Sequence, residues 1–125
     1  MISNIDIEAF KEFNQDLEKK PVTLLDYGDW VEKKVMTTGQ TRLIENVLGL
    51  VGEAGEVAEK VKKHIRDGKP LDSKDIELEL GDVMFYATSL ANYIGSDLYK
   101  VLGSNVMKLD SREKRGTLRG SGDNR

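Results

Sequence analysis

The feature that most constrains the fold is a long run of helical periodicity between Thr41 and Asp67. Apolar residues recur there every three or four positions, the spacing that places side chains on one side of an α-helix. The run stops at Asp67-Gly68, and glycine is typical of a helix C-terminus. The sequence therefore predicts one long amphipathic helix. Its apolar positions are Ile44, Val47, Leu48, Val51, Ala54, Val57, Ala58, Val61 and Ile65.

Four further segments carry helical patterns, and no segment reads clearly as a β-strand. They cover residues 4–19, about 26–35, 73–94 and about 97–109. Pro21, the break at residues 37–39 and Gly95 separate them, since proline and glycine interrupt helices. We therefore expect an all-α fold, a helical bundle of about five helices.

The helix predicted after Asp72 also has a broad apolar face, which we expect to point inward. Its apolar positions are Ile76, Leu80, Val83, Met84, Ala87, Leu90, Ala91 and Ile94. Wide apolar stripes on at least three helices exceed what one helical hairpin can bury. We therefore expect the bundle to be completed by oligomerisation, as a homodimer or homotetramer.

Length and charge bound the organisation of the chain. With 125 residues we expect one helical domain over residues 1–110, followed by a basic, glycine-rich tail over residues 111–125. Residues 108–125 hold six basic and three acidic side chains, a net charge of +3. Since the whole chain has a net charge of −3, residues 1–107 carry a net charge of −6. The total charge argues neither for nor against a nucleic-acid partner, and we expect none.

The start and the cysteine content predict the compartment. The first residues have no basic cluster and no apolar run, so we expect neither a signal peptide nor a membrane partner. Cysteine is absent, which excludes disulfides and thiolate metal sites. We expect a soluble cytoplasmic protein.

Two pairs of acidic residues stand on consecutive predicted helices. Glu53 and Glu56 are three residues apart, as are Glu79 and Asp82. This spacing puts both members of a pair on one helix face. At about 100° per residue both pairs lie on the same shoulder of their apolar stripes, so an antiparallel hairpin would bring four carboxylates to one groove. Such a cluster repels itself unless protons or cations intervene, and its hard oxygen ligands suit Mg²⁺ or Mn²⁺.

Two other interpretations apply to these acids. Helices rich in Glu and Lys are commonly just solvated surfaces, and Glu56 could pair with Lys60 four residues later. A di-iron bundle requires Glu-x-x-His pairs. The single histidine, His64, follows Val61 by three positions, which excludes the di-iron site. His64 itself is interpreted as an ordinary residue on the helix flank.

Glycines beside the acids favour a site over a plain surface. Gly49, Gly52, Gly55 and Gly81 interrupt the two helices, and each is unfavourable by about 1 kcal/mol relative to alanine. Removing side-chain bulk there would permit close helix contact or approach of a ligand.

These residues resemble a known family. Residues 49–60, GLVGEAGEVAEK, followed by 79–83, ELGDV, are similar to the MazG-like nucleotide pyrophosphohydrolases of the all-α NTP pyrophosphatase superfamily. The family pattern is Glu-x-x-Glu, a spacer and Glu-x-x-Asp, and all four acids are present. The similarity continues through residues 105–108 and Arg112, and the closing residues 115–116 and 122–125 resemble a subgroup. It covers residues 41–125 and is loose before them.

The resemblance implies hydrolysis of a nucleoside triphosphate to a monophosphate and pyrophosphate with magnesium. It implies that Glu53, Glu56, Glu79 and Asp82 are the catalytic metal ligands. It also implies dimers or tetramers in which residues of neighbouring subunits lie near each site. A phosphoribosyl-ATP-type pyrophosphohydrolase and a non-catalytic helical interaction module stay open as alternatives.

Other side chains are candidates for binding substrate. Lys108 and Arg112 are four residues apart and could contact phosphates, with Asn105 on nearly the same helix face. A basic surface stripe is the alternative. Lys60 could contact a phosphate, although pairing with Glu56 is the simpler expectation.

Trp30, together with Tyr27, could stack on a nucleobase, although aromatic residues at helical spacing more often belong to a core. The tail after residue 110 is too polar to fold alone. It is either a disordered end or a flap that settles over the triphosphate.

Overall fold

The computed structural model describes residues 22–125, which form four α-helices and no β-strand. We label them in chain order. The helices are α1 (Leu24–Lys34), α2 (Gly39–Asp67), α3 (Ser73–Tyr93) and α4 (Leu98–Lys114). The all-α prediction is confirmed for this part of the chain, whereas the helix predicted over residues 4–19 lies outside the described residues.

The helix ends follow local capping chemistry. Side-chain oxygens of Thr23, Asp72 and Asp97 accept hydrogen bonds from backbone N–H groups in the first turns of α1, α3 and α4. Such caps satisfy donors that a helix start leaves unpaired. Because Thr23 supplies the cap, α1 begins earlier than the predicted start near Asp26. α2 ends at Gly68, whose φ of 66° lies in the left-handed region that glycine adopts without strain.

α2 and α3 form an antiparallel hairpin that positions the acidic residues. The direction is visible in the pairs that meet across it. Lys60 near the end of α2 contacts Asp75 near the start of α3, whereas Asn46 near the start of α2 accepts a hydrogen bond from Ser89 near the end of α3. The predicted hairpin of the two acid-bearing helices is therefore present.

α1 packs across one end of this hairpin through one apolar and several polar contacts. The side chain of Val31 is fully buried. Glu32 on α1 forms an ion pair with Arg42 on α2 and accepts a hydrogen bond of 3.0 Å from the amide of Asn92 on α3. The Asn92 amide also donates to the backbone carbonyl of Gly28. These contacts fix the orientation of α1 on the hairpin, and with it the positions of Tyr27 and Trp30.

α4 lies against α1 and the end of α3, and it does not contact α2. Leu98 at its start is buried. From residue 99 to residue 111 every residue is exposed. α4 continues past the predicted last apolar position, Leu109, to Lys114, because polar residues on its exposed sides do not prevent helix formation.

The segment after α4 folds back on the helix. The Arg112 side chain is buried, and its Nη2 donates to the backbone oxygens of Gly122 and Asp123 at 3.4 and 2.9 Å. Nη2 also lies 3.3 Å from the Asp123 carboxylate. The tail therefore contacts the C-terminal half of α4 in this chain, and not the acids of α2 and α3.

Much of the apolar surface predicted to face inward is exposed in the single chain. On α3 the exposed fractions are 48% for Leu80, 37% for Met84 and 67% for Ile94. On α2 the exposed apolar positions are Ile44, Val47, Leu48, Val51 and Ile65. The inward orientation predicted for α3 is wrong within one chain for Leu80, Met84 and Ile94, because each helix of a two-helix hairpin covers only a narrow strip of its partner.

Among residues 22–125 no helix combines the length and the apolar character that crossing a bilayer demands.

Candidate metal centre

Three of the four predicted acids meet between α2 and α3. Glu53, Glu79 and Asp82 each offer a carboxylate oxygen, and the three oxygens lie within 4.8 Å of one another. Glu79 and Asp82 stand one turn apart on α3, and the antiparallel register brings Glu53 opposite them. The arrangement is the groove that the spacing of the two pairs predicts.

Glu56 lies beside this group and outside it. It is one turn further along α2, and its side chain is exposed. It is still close enough to Glu53 to raise the pKa of that residue, as the smallest of several contributions. The structure of the single chain thus brings together three of the proposed ligands and leaves Glu56 at the rim.

The electrostatics of the three acids favour a bound cation. The pKa of Glu53 is raised above its usual value, first by desolvation and then by the negative charges of Asp82 and Glu79. A hydrogen bond with Glu79 acts in the same direction. Two carboxyl groups this close share a proton or a cation, because two bare charges repel each other. The donors are all hard oxygens, so the residues fit Mg²⁺ or Mn²⁺.

Lys60 contacts the acidic group from the α2 side. Its Nζ lies 3.5 Å from the Glu79 carboxylate and 3.7 Å from that of Asp75. The expected pairing of Lys60 with Glu56 is wrong, because the side chain crosses to α3 instead of following its own helix. Lys60 also lines a cavity of about 260 Å³ at the hairpin turn, together with Lys63, His64 and neighbouring residues.

His64 has a structural contact in this turn. Its Nδ1 is hydrogen-bonded to the backbone carbonyl of Lys69. The contact ties the last turn of α2 to the connection that follows Gly68. His64 does not belong to the group of potential metal ligands among the described residues.

A cluster of four aromatic side chains adjoins the acids. The rings of Tyr27 and Trp30 stack with centroids 5.6 Å apart, and Trp30 meets Phe85 edge to face at 6.0 Å. Phe85 in turn meets Tyr86 at 5.5 Å. The pKa of Tyr27 is raised by burial and, to a smaller extent, by the charge of Asp82. The aromatic cluster and the acidic group therefore share one side of the hairpin.

The Trp30 ring packs against Phe85 on one side and is partly exposed to solvent. Its side chain is 46% exposed. With Tyr27, Val22 and Asp26 it lines a cavity of about 450 Å³. The ammonium group of Lys34 lies over the Trp30 ring, 5.8 Å from its centroid. The exposed part of the indole, beside the acidic group, is a suitable platform for a planar ligand.

The predicted phosphate contacts on α4 lie apart from the acids in the single chain. Asn105 and Lys108 line a separate cavity of about 450 Å³. The Lys108 ammonium group and the Arg112 guanidinium both contact Asp123, at 3.5 and 3.3 Å. These charges hold the pKa of Asp123 below its usual value, with Arg112 the larger cause. A role for this basic group at the acids of α2 and α3 would require a second chain.

Sequence reasoning missed a polar network on the same face of α2. Asn46 is 4% exposed, and its Oδ1 accepts a hydrogen bond of 3.0 Å from Ser89 Oγ. Arg42 Nη2 donates to the Ser89 carbonyl at 3.1 Å and pairs with Glu32. The Arg42 bond lowers the pKa of Glu32. The available signal was Asn46 itself, an amide within an apolar stripe and two helical turns before Glu53.

Comparisons with known proteins agree with this geometry. The family model of the MazG nucleotide pyrophosphohydrolase domain matches residues 42–117, more than half of the 125 residues. The chain is 50% identical over 82 residues to the Gene 37 protein of Mycobacterium phage L5, across 62% of this chain and 72% of that protein. No solved structure matches the chain. All four predicted acids and the candidate residues of α4 fall inside the matched range.

Proposed function

Because the chain belongs to the MazG nucleotide pyrophosphohydrolase domain family, we propose that it hydrolyses a nucleoside triphosphate to a monophosphate and pyrophosphate. The observation that carries the proposal is the meeting of Glu53, Glu79 and Asp82 within 4.8 Å. Phosphoryl chemistry requires mainly positioning and neutralisation of charge. The three carboxylates supply a site for the cation that both tasks need.

Each acidic residue of the centre has a proposed role. Glu53, Glu79 and Asp82 would hold Mg²⁺ or Mn²⁺, with Glu56 at the rim as a fourth ligand. A bound ion would supply neutralisation of the phosphate charge and orientation of an attacking water. The acids of α2 and α3 are held by the hairpin before substrate binds, so little reorganisation is needed at the moment of reaction.

Substrate recognition is assigned to the aromatic cluster and to basic residues. Trp30 presents a partly exposed indole on which a nucleobase stacks. Asn105, Lys108 and Arg112 contact the phosphates from a neighbouring subunit, since α4 does not reach α2 within one chain. A triphosphate would have to displace Asp123 from Lys108 and Arg112.

A second copy of the chain is proposed to cover the exposed apolar surface. Leu102, Val106 and Leu109 follow one face of α4 and are 39%, 58% and 38% exposed. Burying such a surface removes apolar area from water, which stabilises an oligomer. A homodimer or homotetramer assembled in this way would place basic residues near the acids of another subunit.

The decisive experiment is a screen of the common ribonucleoside and deoxyribonucleoside triphosphates with Mg²⁺, with identification of the products. We expect monophosphate and pyrophosphate from at least one of them. Orthophosphate as the first product, or no turnover of any triphosphate, would overturn the proposal.

Two isosteric variants tie the activity to the site. D82N removes a carboxylate of the central group and is expected to abolish turnover. E56Q changes an acid at the rim and is expected to lower turnover by a smaller factor. Both variants should keep the helical circular dichroism spectrum of the parent protein. Full activity of D82N would show that the reaction occurs elsewhere.

A further inference from the structure

Lys60 is placed where it contacts both the metal centre and an acid outside it. Its Nζ lies 3.5 Å from Glu79 Oε1 and 3.7 Å from Asp75 Oδ2. Asp75 and Glu79 are four residues apart on α3, so one helix face presents both carboxylates to the same ammonium group. The ion pairs of Lys62, Lys63, Lys108 and Arg112 are with other acids, outside the three that meet at the centre.

We infer that the ammonium group of Lys60 competes with the divalent cation for the Glu79 carboxylate. Asp75 limits this competition by sharing the ammonium group. The inference rests on the proposed function only in requiring that the three acids bind a cation. It assigns to Lys60 and Asp75 the tuning of cation affinity.

The competition follows from charge and distance. An ammonium group and a divalent ion on one carboxylate repel each other, and the repulsion grows as solvent is excluded. The side chains of Lys60 and Glu79 are only 30% and 20% exposed, so water screens the pair incompletely. Loading the site therefore requires Lys60 to move away from Glu79.

Asp75 gives the displaced ammonium group a partner. Its side chain is 55% exposed, and it stands one turn of α3 away from Glu79. The flexible stem of lysine permits a small movement towards it. Asp75 thereby lowers the cost of freeing Glu79, although it does not belong to the three acids that meet at the site.

The test is the affinity of the whole chain for Mn²⁺ without nucleotide, measured by calorimetry or by electron paramagnetic resonance. K60M, with K60Q as a second variant, should bind Mn²⁺ about two- to fivefold more tightly, the range that partly exposed ion pairs span. K63M is the matched control. It removes the same charge one turn away, where Lys63 forms an ion pair with Glu59 at 3.9 Å. K63M should change the affinity by less than K60M does.

Asp75 is tested by a double-mutant cycle. D75N should weaken Mn²⁺ binding in the parent protein, because Lys60 then pairs with Glu79 alone. In the K60M background D75N should have no effect, since no ammonium group remains to be shared. An equal loss of affinity in both backgrounds would show that Asp75 acts by its charge alone and would overturn its assigned role.

Three further outcomes are decisive. Equal tightening by K60M and K63M would overturn the inference, because a general charge effect would then explain the change. A parent protein that binds no Mn²⁺ would instead refute the metal site of the proposed function. A parent protein that binds Mn²⁺ with the same affinity as K60M and K60Q would refute the role of Lys60 and leave the proposed function intact.

Discussion

The ring of Tyr86 occupies the space into which a side chain at Gly49 would project. Gly49 lies on α2 between Asn46 and Glu53, one turn from each, and Tyr86 lies on α3 between Asp82 and Ser89. Because Gly49 has no side chain, α2 and α3 approach closely at this point, between the polar network and the metal centre. Of the glycines in α2 and α3, Gly52, Gly55 and Gly81 have no atom within 4 Å of an added Cβ.

Replacing Gly49 by alanine should therefore destabilise the protein. Overpacking costs about 1–3 kcal/mol, whereas the higher helix propensity of alanine returns about 1 kcal/mol. We expect a lower midpoint of thermal unfolding for G49A, measured by circular dichroism. G52A is the matched control, because its Cβ meets open space, and it should raise the midpoint. Equal stabilisation by both variants would contradict the close contact.

The raised pKa of Glu53 predicts how stability depends on pH without metal. The folded protein holds the Glu53 proton more tightly than the unfolded chain does, so it binds more protons between the usual glutamate pKa, about 4.3, and the raised value. The free energy of unfolding should then fall as pH rises through this window. Below it the contribution is fully present.

E53Q should weaken this dependence in unfolding experiments with a chelator, because glutamine does not ionise. It should also stabilise the metal-free protein near neutral pH. Adding Mg²⁺ should stabilise the parent protein and have less effect on E53Q. An unchanged pH profile in E53Q would refute the interpretation that Glu53 is crowded by its acidic neighbours.

Trp30 should report nucleotide binding directly. It is the single tryptophan of the chain, and about half of its side chain is exposed. A base stacked on the indole would quench or shift the intrinsic fluorescence. We expect a saturable change with a non-hydrolysable triphosphate analogue, and a smaller one with inorganic triphosphate, which has no base. W30F should retain binding with reduced affinity, and unchanged affinity would assign Trp30 to packing alone.

The exposed face of α4 predicts how the oligomer can be broken. V106D places a charge at the centre of the face formed with Leu102 and Leu109, where burial of an unpaired charge is costly. We expect light scattering to show a smaller species for V106D at micromolar concentration. S104D adds the same charge on the same helix without removing apolar surface, and it should keep the parent mass. A monomeric parent protein would contradict the proposed assembly.

The helices and the acidic group were predictable from local rules. The positions of α2 and α3 followed from apolar periodicity and from the stops at Gly68 and Gly95. The meeting of Glu53 with Glu79 and Asp82 followed from equal three-residue spacing on consecutive helices. Such inferences hold because helical geometry fixes which side chains share a face.

The partners of individual side chains were not predictable in the same way. Lys60 has an acid four residues before it on its own helix, yet it pairs across the hairpin. The hydrogen bonds of Arg112 with Gly122 and Asp123 depend on the backbone path of residues 116–125, which no sequence periodicity predicts. The exposure of Leu80 and Met84 depended on how much of α3 one neighbouring helix can cover. Each is set by tertiary packing.

α1 is joined to the hairpin by far fewer contacts than α2 and α3 share along their length. The attachment consists of the buried side chain of Val31, the bonds that Glu32 makes with Arg42 and Asn92, and the edge-to-face contact of Trp30 with Phe85. Local opening costs least where contacts are few, so we expect α1 to open more readily than the hairpin. Trp30 lies on α1, whereas the acids lie on the hairpin. A bulky base could therefore enter and leave by displacing α1, without any movement of the carboxylates that would bind the cation.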